Sequence, residues 1–218
     1  MELFVRLTDM LLTYLFPRGE SVERLHKLSL SELSQLPPSS PIGDRDTIAL
    51  FEYAHHTVKE IVWQVKYKGN RDLANKVGVL LYDTIMAELE ERNTFAKFPN
   101  VLLIPMPISP QRLLERGWNQ AELLVQALLS HDNGHKFVYL PHVLTKIRHT
   151  ESQTKATSRS ERLENLRNSM RVARASPISG QCVVLVDDVT TTGATLDEAR
   201  RALKEAGAKK IICVALAH

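Results

Sequence analysis

The stretch VVLVDDVTTTGAT, residues 183–195, decides the architecture of this chain. Its four leading apolar residues form too continuous a run for a strand with one wet face, so the strand is expected to be covered on both sides. Asp187 and Asp188 emerge at its carboxyl end, a hydroxyl-rich loop turns around Gly193, and the helical text TLDEARRALKEAG follows. Open parallel sheets bind their ligands beyond the carboxyl ends of the strands, which is where this loop falls. The backbone N–H groups of residues 191–195 can converge on an anion, and Thr191, Thr192 and Thr195 add hydroxyls. Gly193 allows close approach and unusual φ. Two adjacent carboxylates suit another moiety, because they accept hydrogen bonds from vicinal hydroxyls or help to hold a metal ion. Together the two halves describe a ribose 5-phosphate. An ordinary strand-to-helix turn, with Thr195 capping a helix from Leu196, accounts for any two or three of these residues. It does not account for paired acids, three threonines and a glycine in one loop. A P-loop is excluded because GxxxxGK[ST] is absent, and dinucleotide binding because GxGxxG is absent.

Working outward, TIALFEY from Thr47, VLLIPMP from Val101, FVYLPHVLTKI from Phe137, SMRVA from Ser169 and KKIICVALAH from Lys209 read as strands. Between Thr57 and Arg92 the apolar positions Ile61, Val62, Val65, then Leu73, Val77, Leu80 and Leu81 recur at helical spacing. They describe two helices divided near Lys68-Gly69-Asn70. GWNQAELLVQALLS is a further helix. Strands alternating with helices predict an α/β fold with a mainly parallel central sheet and right-handed crossovers. Near the start, Leu3, Leu7, Met10, Leu11, Tyr14 and Leu15 predict a helix ended at Pro17-Arg18-Gly19. Residues 29–46, SLSELSQLPPSSPIGDRD, read as an irregular linker. The expected division is therefore 1–45, a short N-terminal helical segment with irregular chain, and 46–218, the main domain.

The chain has 218 residues, enough for one α/β domain and a short appendage. Its 44% hydrophobic and 24% charged residues exclude disorder and fibrous repeats. The net charge of +3 neither demands nor forbids an anionic partner, since it averages over a basic segment. From Lys146 to Arg174 there are eight Lys or Arg against three Asp or Glu. Cys182 and Cys213 lie inside apolar runs and read as buried free thiols. With no CxxC and no HExxH, no zinc is expected. No signal peptide and no run near the ~20 apolar residues of a membrane span are seen, so a cytoplasmic protein without membrane insertion is expected.

VVLVDDVTTTGAT resembles, at every position, the 5-phosphoribosyl 1-pyrophosphate (PRPP) signature of type I phosphoribosyltransferases. More narrowly, VKYKGNRDLA, IPMPISPQRLLERGWNQAELL and LTKIRHTESQTKATSRSERLENLRNSM, in that order before the signature, resemble the competence protein F (ComF) family. The resemblance implies the type I phosphoribosyltransferase fold and PRPP as ligand. It assigns Asp187, Asp188, Val189, Thr190, Thr191, Thr192, Gly193, Ala194 and Thr195 to PRPP, with Asp187 and Asp188 as the catalytic pair and Mg²⁺ arriving with PRPP. It makes the loop from Pro107 to Arg112 a pyrophosphate receiver, with Ser109, Arg112 and Arg116 as candidates. Arg116 is equally well read as a solvated helix end, whereas Gly117-Trp118-Asn119-Gln120 is harder to explain that way. The polar stretch from Arg148 to Arg162 corresponds to a loop that closes over PRPP, with Lys146, Arg148, Thr150, Gln153, Lys155, Arg159 and Arg162 as candidates.

Many ComF relatives carry a four-cysteine zinc module after a helix ending in Leu-Phe-Pro. This chain has LLTYLFP with no cysteine in the residues up to 45 that follow it, and the segment 1–45 occupies the position of that module. Three outputs stay open on this one site. One is a role in natural competence, with single-stranded DNA and other competence proteins as partners. A second is an active phosphoribosyltransferase in nucleotide salvage or nucleoside metabolism, although residues 1–45 show no readable acceptor-base site. The third is a PRPP-sensing regulator without chemistry.

Overall fold

A computed structural model describes residues 20–43, 46–147, 168–173 and 175–218, with side chains from residue 24 onward. It divides the chain into two compact units, 1–35 and 36–218. In the first unit lie α1 (Glu20–Lys27) and α2 (Leu30–Ser34). The sequence reading treats residues 29–46 as irregular, but Ser29 and Glu32 form a reciprocal capping box that starts α2. The Ser29 hydroxyl oxygen accepts from the Glu32 N–H at 3.2 Å, and the Glu32 carboxylate accepts from the Ser29 N–H at 2.8 Å. The S-x-x-E pattern carries that signal.

The second unit contains β1 (Thr47–Phe51), α3 (His56–Lys68), α4 (Arg71–Glu91), β2 (Val101–Pro105), α5 (Pro110–Arg116), α6 (Gln120–Leu129), β3 (Phe137–Tyr139), β4 (Leu144–Lys146), β5 (Met170–Val172), β6 (Cys182–Val189), α7 (Ala194–Glu205) and β7 (Lys210–Ala217). Five strands make one sheet in the order β1-β7-β6-β2-β3, with every neighbouring pair parallel. The central pair, β6 and β2, is buried along its apolar residues, as two covered faces require. Residues 37–39 pair back onto β1: the Glu52 N–H donates to the Pro37 carbonyl and the Ser39 N–H to the Leu50 carbonyl. Cys182 and Cys213 are buried free thiols in β6 and β7.

Two expectations change. The text FVYLPHVLTKI reads as one strand, but it makes two. β3 adds to the edge of the parallel sheet, the chain turns at His142 with φ 59°, and β4 pairs antiparallel with β5 in a separate ribbon. The helix after the hydroxyl loop begins at Ala194 rather than Leu196. Gly193, in the left-handed region at φ 77°, is its N-cap, and Thr195 lies in the first turn.

Gly69 (φ 59°) ends α3, and the Asn70 side chain accepts from the Leu73 N–H at 3.1 Å to start α4, so the Gly69-Asn70 pair separates the two helices. α4 and α6 pack against each other, and α6 lies on β6 and β2. Gly78 makes the helix approach possible, since a Cβ there would sit 2.7 Å from the Ala127 backbone carbon. The core around β6 joins Ile104, Val183, Leu185, Leu196, Leu203 and Cys213. Each large aliphatic side chain there contributes about 1.5–3 kcal/mol by leaving water. Gly78→Ala should force α4 and α6 apart and cost about 1–3 kcal/mol, measured as a lower urea midpoint with an unchanged slope. A midpoint equal to the parent's would show that the helices yield at no cost.

Candidate functional site

β6 carries Asp187 and Asp188 to its carboxyl end, where their side chains are almost fully buried at 6% and 4% residue exposure. Asp187 lies beside Ala215 of β7, and its Oδ1 accepts the backbone N–H of Asp188 at 2.8 Å. Four elements bring side chains to or near this pair. From α3, Lys66 Nζ stands 3.2 Å from Asp188 Oδ2. From α6, Gln120 Nε2 donates to Asp188 Oδ1 at 3.4 Å. From β4 and α5, Lys146 and Arg112 come close enough to affect each other, and Asp187 acts on Lys146.

Lys66 reaches Asp188 because the end of α3 is clamped. The Trp118 indole N–H donates to the Val65 carbonyl at 3.2 Å, and the indole lies over Gly69, where a Cβ would come within 3.0 Å of the ring. Only glycine satisfies both that contact and the φ of 59°. The Asn119 side chain accepts from the Ala121 N–H at 3.0 Å to cap α6, and its amide donates to the Met106 carbonyl at 3.0 Å. The block Gly117-Trp118-Asn119-Gln120 therefore ties the ends of β2, α3 and α6 to the carboxylates.

The two acids are not equivalent. Burial, then the charge of Asp188, pushes Asp187 well above the usual carboxylate range. Burial acts the same way on Asp188, but Lys66, the Asp187 hydrogen bond and Gln120 outweigh it and hold Asp188 low. Burial would lower Lys66, yet the attraction of Asp188 outweighs it and raises this lysine. Lys146 is lowered by burial and by repulsion from Arg112, against the pull of Asp187. Arg116 is lowered by burial first; its guanidinium lies 4.9 Å from the centroid of the Tyr67 ring, and Nη1 donates to Gln120 Oε1 at 3.1 Å. The site holds one firmly ionised carboxylate, one that takes up a proton more easily, and a group of cations facing both.

Beyond the acids, Val189 and Thr190 still belong to the strand edge. Val189 lies beside Ala217, the Thr190 N–H donates to the Ala217 carbonyl at 3.0 Å, and the Thr190 carbonyl is 3.1 Å from His218 Nδ1. Thr191 and Thr192 are exposed, and Gly193, Ala194 and Thr195 are half-buried. The first intrahelical bond runs from the Asp197 N–H to the Gly193 carbonyl at 2.8 Å. The N–H groups of Gly193 to Leu196 thus precede the helical ladder, the arrangement that receives an anion at a helix start.

Of the other expected residues, Ser109 is buried, and its hydroxyl oxygen accepts the Arg112 N–H at 3.3 Å as the cap of α5. Lys146 is close enough to feel Asp187 and Arg116 to feel Asp188, and Arg112 neighbours both of these cations. Arg148, Thr150, Gln153, Lys155, Arg159 and Arg162 lie outside the described residues. Lys66 and Tyr67 stand inside the VKYKG block, yet nothing in their spacing marks them; their place follows from the Trp118 clamp. Among the described residues no group of three or more His, Cys, Asp or Glu stands ready to hold a metal ion, and no helix is long and apolar enough to cross a membrane.

Residues 121–218, which carry β6, the hydroxyl loop, α7 and β7, match the family model described as the phosphoribosyl transferase domain. The chain is similar to proteins of the competence protein F family. It is 34% identical over 155 residues to competence protein F of Haemophilus influenzae, covering 69% of this chain and 63% of that protein. It is 30% identical over 151 residues to the DNA utilization protein YhgH of Salmonella typhimurium, with the same coverage. It is 31% identical over 153 residues to competence protein ComFC of Bacillus subtilis, covering 69% of this chain and 55% of that one. The chain thus spans less than two thirds of the length of these relatives.

Lys66→Met leaves Asp188 buried without its counter-ion. With Lys66 26% exposed, the expected loss at neutral pH is about 1–3 kcal/mol. Because the Asp188 pKa is depressed, its contribution is present above the unfolded carboxylate range and lost as pH falls through the folded value. Urea melts of parent and variant should therefore converge in acid. A gap that persists after Asp188 is protonated would remove the ion pair as its cause.

Proposed function

We propose that this protein binds PRPP at the carboxyl end of β6 and uses that site in the handling of single-stranded DNA during natural competence. The carrying observation is the buried Asp187–Asp188 pair set directly before a loop of ungathered N–H groups and threonine hydroxyls at the start of α7. On this reading the 5-phosphate lies on residues 191–195 and the ribose hydroxyls lie on Asp187 and Asp188. The diphosphate faces Arg112, Lys146 and Lys66. The competence role draws support from the names of the relatives, two of them competence proteins and one a DNA utilization protein.

The oxygen-only donors of Asp187 and Asp188 suit a hard cation such as Mg²⁺, which when bound would neutralise diphosphate charge. The chain's own contribution is electrostatic. Arg112, Lys146 and Lys66 are half-buried cations beside the carboxylates, where they stabilise charge that develops on a departing diphosphate. The ionised Asp188 stabilises positive charge at the anomeric carbon. If an acceptor base enters, the activity is that of a phosphoribosyltransferase. If none does, the same site is a PRPP receptor.

Replacing both acids, Asp187→Ala with Asp188→Ala, should abolish the calorimetric heat of PRPP binding in the presence of Mg²⁺. Unchanged affinity in a variant that still melts cooperatively would remove the PRPP reading. Incubating the parent with PRPP, Mg²⁺ and a panel of nucleobases separates the two outputs: diphosphate release marks a transferase, and binding without release marks a receptor.

A further inference from the structure

Beside the carboxylates, α3 and α5 carry a strip of two aromatic rings flanked by two cations, of which only Arg116 is also a diphosphate candidate. On α3, Trp63 and Tyr67 are one turn apart with ring centroids 6.0 Å from each other at a tilt of 43°. Lys68 Nζ lies 5.1 Å from the Trp63 centroid, and the Arg116 guanidinium lies 4.9 Å from that of Tyr67. Tyr67 is 46% exposed although it is large and mostly apolar. Leu114, on the same short helix as Arg116, is 87% exposed. The strip leads inward: Arg116 reaches Gln120, and Gln120 reaches Asp188.

Single cation–π pairs are common, about one per 70–80 residues. Two of them on adjacent rings, joined to each other and ending at a buried carboxylate, form a continuous surface. Glu115, the acid beside Arg116 in sequence, accepts from the Gln111 side-chain amide at 2.9 Å. The surface is thus cationic and aromatic at once. Cations answer phosphates, and flat rings answer bases that are not stacked in a duplex, which is the chemistry of a single nucleic-acid strand.

We propose that Trp63, Tyr67, Lys68 and Arg116 form a base-stacking strip for a single DNA strand, leading that strand toward the Asp187–Asp188 pocket. The proposal rests on the single-strand reading above but places contact on α3 and α5, not on the basic segment after Lys146. Stacking on Tyr67 supplies affinity for any base, because every base has a π-face, and Lys68 and Arg116 supply salt dependence.

The test is fluorescence anisotropy of the full chain with a labelled thymidine oligonucleotide of about twelve residues, roughly one site length for such surfaces, together with 2-aminopurine quenching. Tyr67→Ala should weaken binding about tenfold and abolish the quenching, whereas Tyr67→Phe, which keeps the ring, should stay within about twofold. If the parent binds the strand and Tyr67→Ala binds it equally well, the strip is overturned while the single-strand reading stands. If the parent does not bind the strand even at low salt, both fall. If polyglutamate displaces the strand as well as unlabelled oligonucleotide does, the surface reads charge alone and the stacking proposal is overturned.

Discussion

The rest of the site depends on the burial of two adjacent carboxylates at the end of one strand. Two charges so close and so dry cannot both be held without compensation. The protein supplies it unevenly. Asp188 takes Lys66, Gln120 and the loss of a proton, while Asp187 takes a backbone N–H and holds its proton more tightly. Once Asp188 needs a cation, α3 must end where Lys66 can reach it, and that requirement runs outward through Val65, Gly69 and Trp118.

The sequence blocks that surround the hydroxyl loop act together. VKYKG ends α3 and brings the lysine. GWNQ brings the indole that clamps it, the asparagine that caps α6, and the glutamine that shares the carboxylate. Gly69 is glycine for two reasons that coincide, a left-handed φ and an aromatic ring at 3.0 Å. Arg116 stands between the carboxylate site and the aromatic strip, bonded to Gln120 on one side and against Tyr67 on the other. Its contact with Tyr67 also explains why an arginine at a helix end is half-buried rather than solvated.

Much of this was legible in the text. The parallel sheet follows from apolar runs alternating with helical periods. The loop follows from acids, threonines and glycine at one strand end. The less legible features are those where local pattern is ambiguous. FVYLPHVLTKI is apolar throughout, and only the turn at His142 splits it between two sheets. The cap that Ser109 makes on α5 and the backbone bond of Thr190 to Ala217 follow from where the two helices and strands end, which local pattern does not fix.

The sequence alone determined the fold class and the place of the hydroxyl loop at a strand end, because both rest on residues within a few positions of one another, where periodicity and turn chemistry act directly. Only the tertiary structure decided which cation neutralises Asp188 and which rings border the pocket. Lys66 is separated from Asp188 by most of the domain in sequence, and Tyr67 from Arg116 by two helices and a strand. No spacing rule spans such distances. What brings them together is packing: the Trp118 indole on Gly69 and the burial of β6 set the end of α3 over the strand.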